Sequence, residues 1–253
     1  MIIDNYTDIH SHLLFGLDDG PRDLEESIIL LKMARDEGIR TQFLTPHYGP
    51  ESGYTPDAQK IRENFEILKA RARIEVPEMT LLLGSELYCA PNQVIGRVER
   101  GEALSMANTS YLLLEFNEWG PYRQTAEHIT KSMLFLRHTN WRLILAHAER
   151  YRDFKGKQSL YRDLVSGGVY LQINAYDLMD QPDDWVRENT RWLVQNRLAH
   201  FIGTDAHRLK KRTPVMRSGV DYLYQHCDEA YADALVKGNA DKLIAGERVP
   251  LSY

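Results

Sequence analysis

Two histidines one residue apart, His10 and His12, lie in the segment "DIHSHLLFGLDDG", and two aspartates, Asp18 and Asp19, close it. On an extended strand, residues i and i+2 project to one face, so both imidazoles can reach a single cation. Imidazole suits zinc, manganese, iron and similar metals. Other metal-capable side chains follow: His47 closing "FLTPH", Glu86 in "LLLGSEL", Glu115 in "YLLLEF", His147 in "LILAHAERY", and Asp205 with His207 in "GTDAH". Each alone has an ordinary reading. "DDGP" is turn-and-cap chemistry, and a histidine ending an apolar run can be a structural core residue. A carboxylate after an apolar run is costlier to bury unless it is paired or bound to metal. Together, five histidines, two glutamates and two aspartates stand where one site would gather them, which points to a multinuclear metal centre. His128, His138, His200 and His226 fall in helical segments or at the start of a strand and are assigned no role.

The elements that would position these groups recur with a clear rhythm. Short apolar runs occupy 6–10, 41–47, 79–87, 110–116, 141–147, 168–175 and 199–207. Six carry an ionisable or metal-capable group near their C-terminal ends; the exception, "GVYLQINA", offers only Asn174. Helical signatures lie between them. Asp23 with Glu26 forms a capping-box arrangement, Leu24, Ile28, Leu31 and Ala34 keep helical spacing, and Gly38 stops the helix. A second helix reads as capped by Thr55 with Pro56 at its first position, burying Ile61, Phe65 and Leu68. Segments near 122–138, 158–167, 183–197 and 214–237 also read as helical. Alternating strands and helices imply an α/β fold with a parallel sheet and outer helices. Seven units fit a closed or nearly closed TIM-like barrel, whose functional residues gather at the C-terminal ends of the strands. An open doubly wound sheet is the alternative, but no Gly-rich phosphate loop follows the first strand.

Bulk properties narrow the classes. A 253-residue chain can form one domain, expected to span 1–253, with a substantial core. Its formal charge of −5 gives no nucleic-acid footprint and disfavours an acidic membrane surface. Two cysteines, Cys89 and Cys227, argue against a disulfide framework and for a reducing compartment. No run approaches the ~18 apolar residues of a membrane span, and no signal peptide is legible, so a cytoplasmic protein is expected.

"DIHSH", "DDG", "TPH", "GSE", "LLLEF", "LAHAERY" and "GTDAH", in that order, resemble the PHP (polymerase and histidinol phosphatase) superfamily, in particular its bacterial protein-tyrosine phosphatase branch, the CpsB/CapC type of capsule and exopolysaccharide loci. The motifs run from residue 8 to 212. The resemblance implies a distorted (β/α)7 barrel, PHP-type and TIM-like, with two to three divalent ions, manganese first and iron, zinc, cobalt or magnesium as alternatives. By matching positions, His10, His12, Glu86 and Asp205 would hold one ion. Glu86 would bridge to a second held also by Glu115 and His147. Asp19, rather than Asp18, would hold a third with His47 and His207. Arg150 and Arg212 match two arginines of the family. The expected partner is a phosphotyrosine-bearing protein, a bacterial tyrosine autokinase.

Phosphate monoester hydrolysis needs neutralised phosphoryl oxygens, a nucleophile and a leaving alcohol, and clustered divalent ions with a bridging hydroxide can provide them. Arg150 and Arg212 could grip phosphoryl oxygens in a forked manner. A phenolate leaving group, with pKa near ~10, needs little acid help, so no general acid is named. The cysteine route needs Cys-x5-Arg, yet the residues six beyond Cys89 and Cys227 are Ile95 and Asp233. Loop aromatics Tyr48, Tyr88, Trp119, Tyr122, Tyr151 and Tyr176 could wall a phenyl ring. A small-molecule phosphatase such as histidinol-phosphate phosphatase is the runner-up. A nuclease, or a regulatory module with structural metals, are the remaining readings.

Overall fold

The computed structural model describes residues 4–117, 123–179 and 184–253. The apolar runs become parallel strands, and two of them break in the middle. Run 41–47 divides into β2 (Ile39–Leu44) and β3 (His47–Tyr48), because Pro46 has no N–H to give a ladder. Run 79–87 divides into β4 (Thr80–Leu83) and β5 (Glu86–Tyr88) around Gly84. A Cβ on Gly84 would come within 2.7 Å of the Met106 sulfur, so a glycine is required for that close approach. The first strand is β1 (Tyr6–Asp8); β6 (Tyr111–Glu115), β7 (Arg142–Leu145), β8 (Tyr170–Asn174) and β9 (Phe201–Gly203) follow.

The breaks produce two sheets, β1-β2-β4 and β3-β5-β6-β7-β8-β9. Every pairing within them is parallel. The first and last runs then meet beyond their ladders. Ser11 bridges Ala206 in parallel. Asp205 N–H donates to the His10 carbonyl at 2.8 Å, and His12 N–H to that of Ala206 at 2.8 Å. The curled sheet therefore has the expected order and a distorted barrel shape.

Side-chain alternation sets the layers. Ile9, Phe43, Tyr111, Leu113, Ile144, Tyr170 and Phe201 form an inner cluster, while a larger cluster packs strands against helices. The lower end of the barrel is stoppered by the C-terminal segment. Tyr111 Oη donates to the Glu247 carbonyl (2.7 Å) and accepts from Val249 N–H (3.0 Å), and Tyr170 Oη donates to the Val249 carbonyl (3.0 Å).

The helices follow their caps. In α1 (Leu24–Asp36) the Asp23 carboxylate accepts from Glu26 N–H, and Glu26 accepts in turn from Arg22 N–H, both at 2.9 Å. Gly38, at φ +95°, ends it. For α2 (Ala58–Glu75) the cap is Asp57, not Thr55. Its carboxylate takes Gln59 N–H (2.7 Å) and Lys60 N–H (3.2 Å), leaving Pro56 just outside the helix. Ile61, Phe65 and Leu68 are buried as expected. A short α3 (Val94–Glu99) was not foreseen; α4 (Ala126–Leu136), α5 (Ser159–Ser166) and α6 (Asp184–Gln195) lie within expected segments. Segment 214–237 is not one helix: α7 (Arg217–His226) stops before Asp228, whose side chain caps α8 (Glu229–Asp233) through Tyr231 N–H at 3.1 Å, and a π-turn leads on to α9 (Asn239–Ile244).

Candidate metal centre

At the C-terminal ends of the strands the nine metal-capable side chains converge. His10 Nε2 and His12 Nε2 stand 3.3 Å apart, 3.2 and 3.1 Å from Glu86 Oε2, and each 3.6 Å from Asp205 Oδ1. Four ligand atoms arranged tetrahedrally around an ion at ~2.1 Å would be separated by about 3.4 Å, so this quartet has the spacing of a coordination shell. Glu86 Oε1 reaches His147 Nε2 at 2.8 Å, and His47 Nδ1 lies 3.1 Å from both Glu86 Oε2 and Glu115 Oε1. Asp19 Oδ1 is 3.3 Å from His207 Nε2 and 3.6 Å from His47 Nε2. Three sets could hold a cation among the described residues: His10–His12–Glu86, His47–Glu86–Glu115, and His12–Asp19–His47–His207. His47 thus stands between two sets, a sharing that the matched motifs do not assign.

The buried polar atoms fit a cation better than a dry core. Glu86 Oε2, Asp205 Oδ1, Asp19 Oδ1, His47 Nδ1 and His207 Nε2 are buried without a hydrogen-bond partner, and all five face the cluster. Native cores leave few such atoms unexplained, and an absent ion is one explanation.

The electrostatics agree. Burial pushes the Glu86 and Asp205 carboxyls up, but cationic neighbours prevail and hold both well below the carboxylate range: His10 and His47 for Glu86, Arg212 and His10 for Asp205. Burial and His47 pull His12 down, yet Asp18 and Glu86 raise it to about 9. Burial raises the Glu115 carboxyl, and the Glu86 charge adds to that. Carboxylates raise His12 and His47, whereas burial and His12 lower His207 to about 4, so the imidazoles of the cluster differ in how readily they take a proton.

Local backbone choices aim these groups. Tyr111, Leu113 and Glu115 share the inner face of β6. Alternation along β7 would turn His147 away from Ala146's inner face. Its left-handed φ of 31° breaks the alternation and brings the ring to Glu86. Asp205 (φ 54°) and Arg212 (φ 57°) are also left-handed. Such strain in non-glycine residues concentrates at functional sites.

Arg150 and Arg212 both reach the outer oxygen of Asp205. Arg150 Nη1 is 3.2 Å from Oδ2, Arg212 Nη2 donates to the same atom, and Asp205 Oδ1 remains turned to the histidines. Asp177 fixes Arg150 from behind, accepting from its Nε at 2.6 Å.

Several supporting residues escaped the sequence reading. Asp18, set aside in favour of Asp19, accepts from His12 Nδ1 at 2.8 Å and from His47 N–H at 2.9 Å. Gln172 Oε1 lies 3.0 Å from His10 Nδ1 and accepts His147 N–H at 2.8 Å, while Gln172 Nε2 donates to Asn174 Oδ1 at 2.8 Å. Such partners fix the tautomer and orientation of ligand imidazoles. The signal for Gln172 was its i, i+2 relation to Asn174 on one strand face. Asp8, fully buried, ties β1 to β9 by accepting His10 N–H (3.1 Å) and Thr204 N–H (2.9 Å).

A cavity of about 470 Å3 opens above the cluster, its floor formed by His47, Glu115 and His147, with Arg150 and Arg212 at the side. Of the loop aromatics, Tyr88 lines it; Tyr54, not anticipated, lines it too. Tyr151 does not serve as a wall: it is buried, and its hydroxyl accepts Phe116 N–H at 3.0 Å, holding strand to loop. Tyr48 and Tyr176 are not among the lining residues, and Trp119 and Tyr122 lie outside the described residues. Burial pushes the Cys89 thiol far up, so it is no thiolate nucleophile.

Comparison with known proteins gives a consistent picture. The model of the family "Capsular polysaccharide synthesis, CpsB/CapC" matches residues 6–245. Tyrosine-protein phosphatase CpsB of Streptococcus pneumoniae is 29% identical over 247 residues, covering 96% of this chain and 99% of that protein. Tyrosine-protein phosphatase YwqE of Bacillus subtilis (strain 168) is 31% identical over 209 residues, covering 81% and 78%. A crystal structure from the pair YwqE of Bacillus subtilis and CpsB of Streptococcus pneumoniae, "unique metal-dependent tyrosine phosphatases", matches with TM-score 0.84 at 26% identity over 96% of each chain.

Proposed function

Because this chain belongs to the CpsB/CapC family of capsular polysaccharide synthesis, we propose that it is a metal-dependent protein-tyrosine phosphatase whose centre is the cluster just described. The observation that carries the reading is the convergence of nine metal-capable side chains on one barrel pole, with five of their buried atoms lacking a hydrogen-bond partner. His10, His12, Glu86 and Asp205 would hold one ion; Glu86, Glu115 and His147 a second; Asp19, His47 and His207 a third. His47 is placed to serve the second position as well.

Bound divalent ions supply Lewis acidity, lowering the pKa of a water and neutralising phosphoryl charge. The chain's own residues do the rest. Asp18 and Gln172 hold the His12 and His10 rings in one orientation. Arg150 and Arg212, already turned to the cavity, bind phosphoryl oxygens with forked donors. Asp177 keeps the Arg150 fork in place, so less freedom is lost on binding. A tyrosyl leaving group, with a pKa near ~10, departs without a dedicated acid.

The substrate is read as a phosphotyrosine-bearing protein, a bacterial tyrosine autokinase of polysaccharide export. The whole chain acts as one catalytic domain in the cytoplasm, with manganese the preferred metal. No helix among the described residues is long and apolar enough to cross a membrane.

The test is a panel: a phosphotyrosine peptide, a phosphoserine peptide and histidinol phosphate, each with manganese, zinc or chelator. Phosphotyrosine hydrolysis that chelator abolishes and manganese restores is expected. Turnover of histidinol phosphate alone would reassign the protein to small-molecule phosphatases, and chelator-insensitive turnover would remove the metal from the mechanism.

A further inference from the structure

The turn between β3 and α2 is held far more tightly than an exposed connection requires. Gly49 N–H donates to the Tyr54 carbonyl at 2.7 Å, so the two form an antiparallel bridge. Ser52 Oγ donates to the Gly49 carbonyl at 2.7 Å. Gly49 itself packs so closely on Tyr88 that a Cβ there would stand 2.5 Å from the Tyr88 Cβ. Glu51, at the tip, is gripped by Arg97 Nη1 and Nη2 at 2.9 Å each, and Arg97 is buried on α3. A forked pair of this kind fixes direction as well as distance.

What these restraints place is the Tyr54 ring. It lies 5.4 Å from the His47 imidazole, centroid to centroid, and within 11° of parallel. The ring is half-buried, lines the cavity, and its hydroxyl makes no hydrogen bond among the described residues. A flat apolar face is therefore held beside the cavity floor, and Tyr88 lines the same cavity.

We infer that Tyr54 is a specificity-determining residue: its clamped ring is the wall on which the phenyl group of an aryl phosphate stacks while the phosphate rests on the floor. This deepens the phosphatase reading and rests on it. Stacked aromatic pairs contribute beyond their buried area, and a short alkyl phosphate, such as that of serine, has no ring to present. The bland role for Tyr54 is to cover His47 from solvent, and the test separates the two.

The test uses the manganese-loaded protein and compares kcat/KM for phenyl phosphate with kcat/KM for ethyl phosphate. The difference in leaving groups cancels when each variant's ratio is divided by that of the wild type. Tyr54→Ala and Tyr54→Leu are expected to lower the ratio by about three- to tenfold, and Tyr54→Phe, which keeps the flat face, to retain it. Bound manganese per chain is measured alongside. An unchanged ratio in Tyr54→Ala overturns the inference, as does a fall in both substrates that tracks lost manganese, since Tyr54 would then act through His47. A wild-type protein that hydrolyses the phosphotyrosine peptide while failing this test leaves the phosphatase reading standing. One that hydrolyses no aryl phosphate takes both down.

Discussion

Gln172 shows how much of the centre depends on groups that touch no ion. Its single amide joins the His10 ring, the His147 backbone and Asn174. Gln172→Leu keeps the volume and removes all three bonds. It is expected to weaken manganese binding by about 10–100-fold, the usual cost of losing an outer partner, measured by metal titration of the chelated protein; unchanged affinity would deny Gln172 this role. Arg150→Ala is expected to lower kcat/KM for a phosphotyrosine peptide by about 10–100-fold, since a hydrogen bond to a charged group contributes about 1.5–3 kcal/mol. Arg150→Lys should rescue little of it, because an ammonium cannot reproduce the fork. At this scale the sequence was legible where residue type carried the chemistry, as at His10, His12 and Glu86. It was not legible at Gln172 or Asp18, whose roles depend on what lies across the barrel. An amide 162 positions from its imidazole looks like any polar residue on a strand.

The elements obey local rules that can be tested locally. Asp57 accepts two N–H groups at the start of α2, so Asp57→Ala is expected to cost about 1 kcal/mol, read from urea unfolding, whereas Thr55→Ala should cost little. The sequence favours Thr55 as the cap, with Pro56 at the first helical position, whereas the helix is capped by Asp57. Cap choice between neighbouring Thr and Asp depends on where the chain enters the helix, which spacing alone does not decide. The strand rhythm was legible for a sturdier reason: alternation with a polar C-terminal end is repeated in run after run. Near the start of β9, buried His200 accepts Leu171 N–H at 3.2 Å and packs on Tyr170. Burial lowers its pKa from 6.5 to about 4, so as pH falls the unfolded chain takes up the proton first. The stability contributed is complete above pH 6.5 and is lost as pH falls from there toward 4, about 2 kcal/mol of it by pH 5. Urea midpoints at pH 7.5 and pH 5 should diverge less in His200→Gln than in the wild type; equal divergence would refute the assignment.

For the whole molecule, the buried carboxylates at one pole tie stability to the cation. Chelation removes a ligand that binds only the folded state, so the melting temperature should fall with metal removal and recover with the logarithm of added manganese. A melting curve indifferent to chelator would count against a metal centre built from these nine groups. The overall architecture was readable because seven similar units repeat. The breaks at Pro46 and Gly84, which split the curled sheet in two, come from single residues within otherwise continuous apolar runs. The barrel closes where His10 and His12 meet Asp205 and His207, segments about 195 positions apart in the sequence. A ribosome-bound chain therefore has only part of the cage until the "GTDAH" stretch has emerged and docked against the opening strand. The hydrolase would switch on last, as the barrel shuts, so a truncated or half-translated copy would hold divalent ions poorly and leave phosphotyrosines alone.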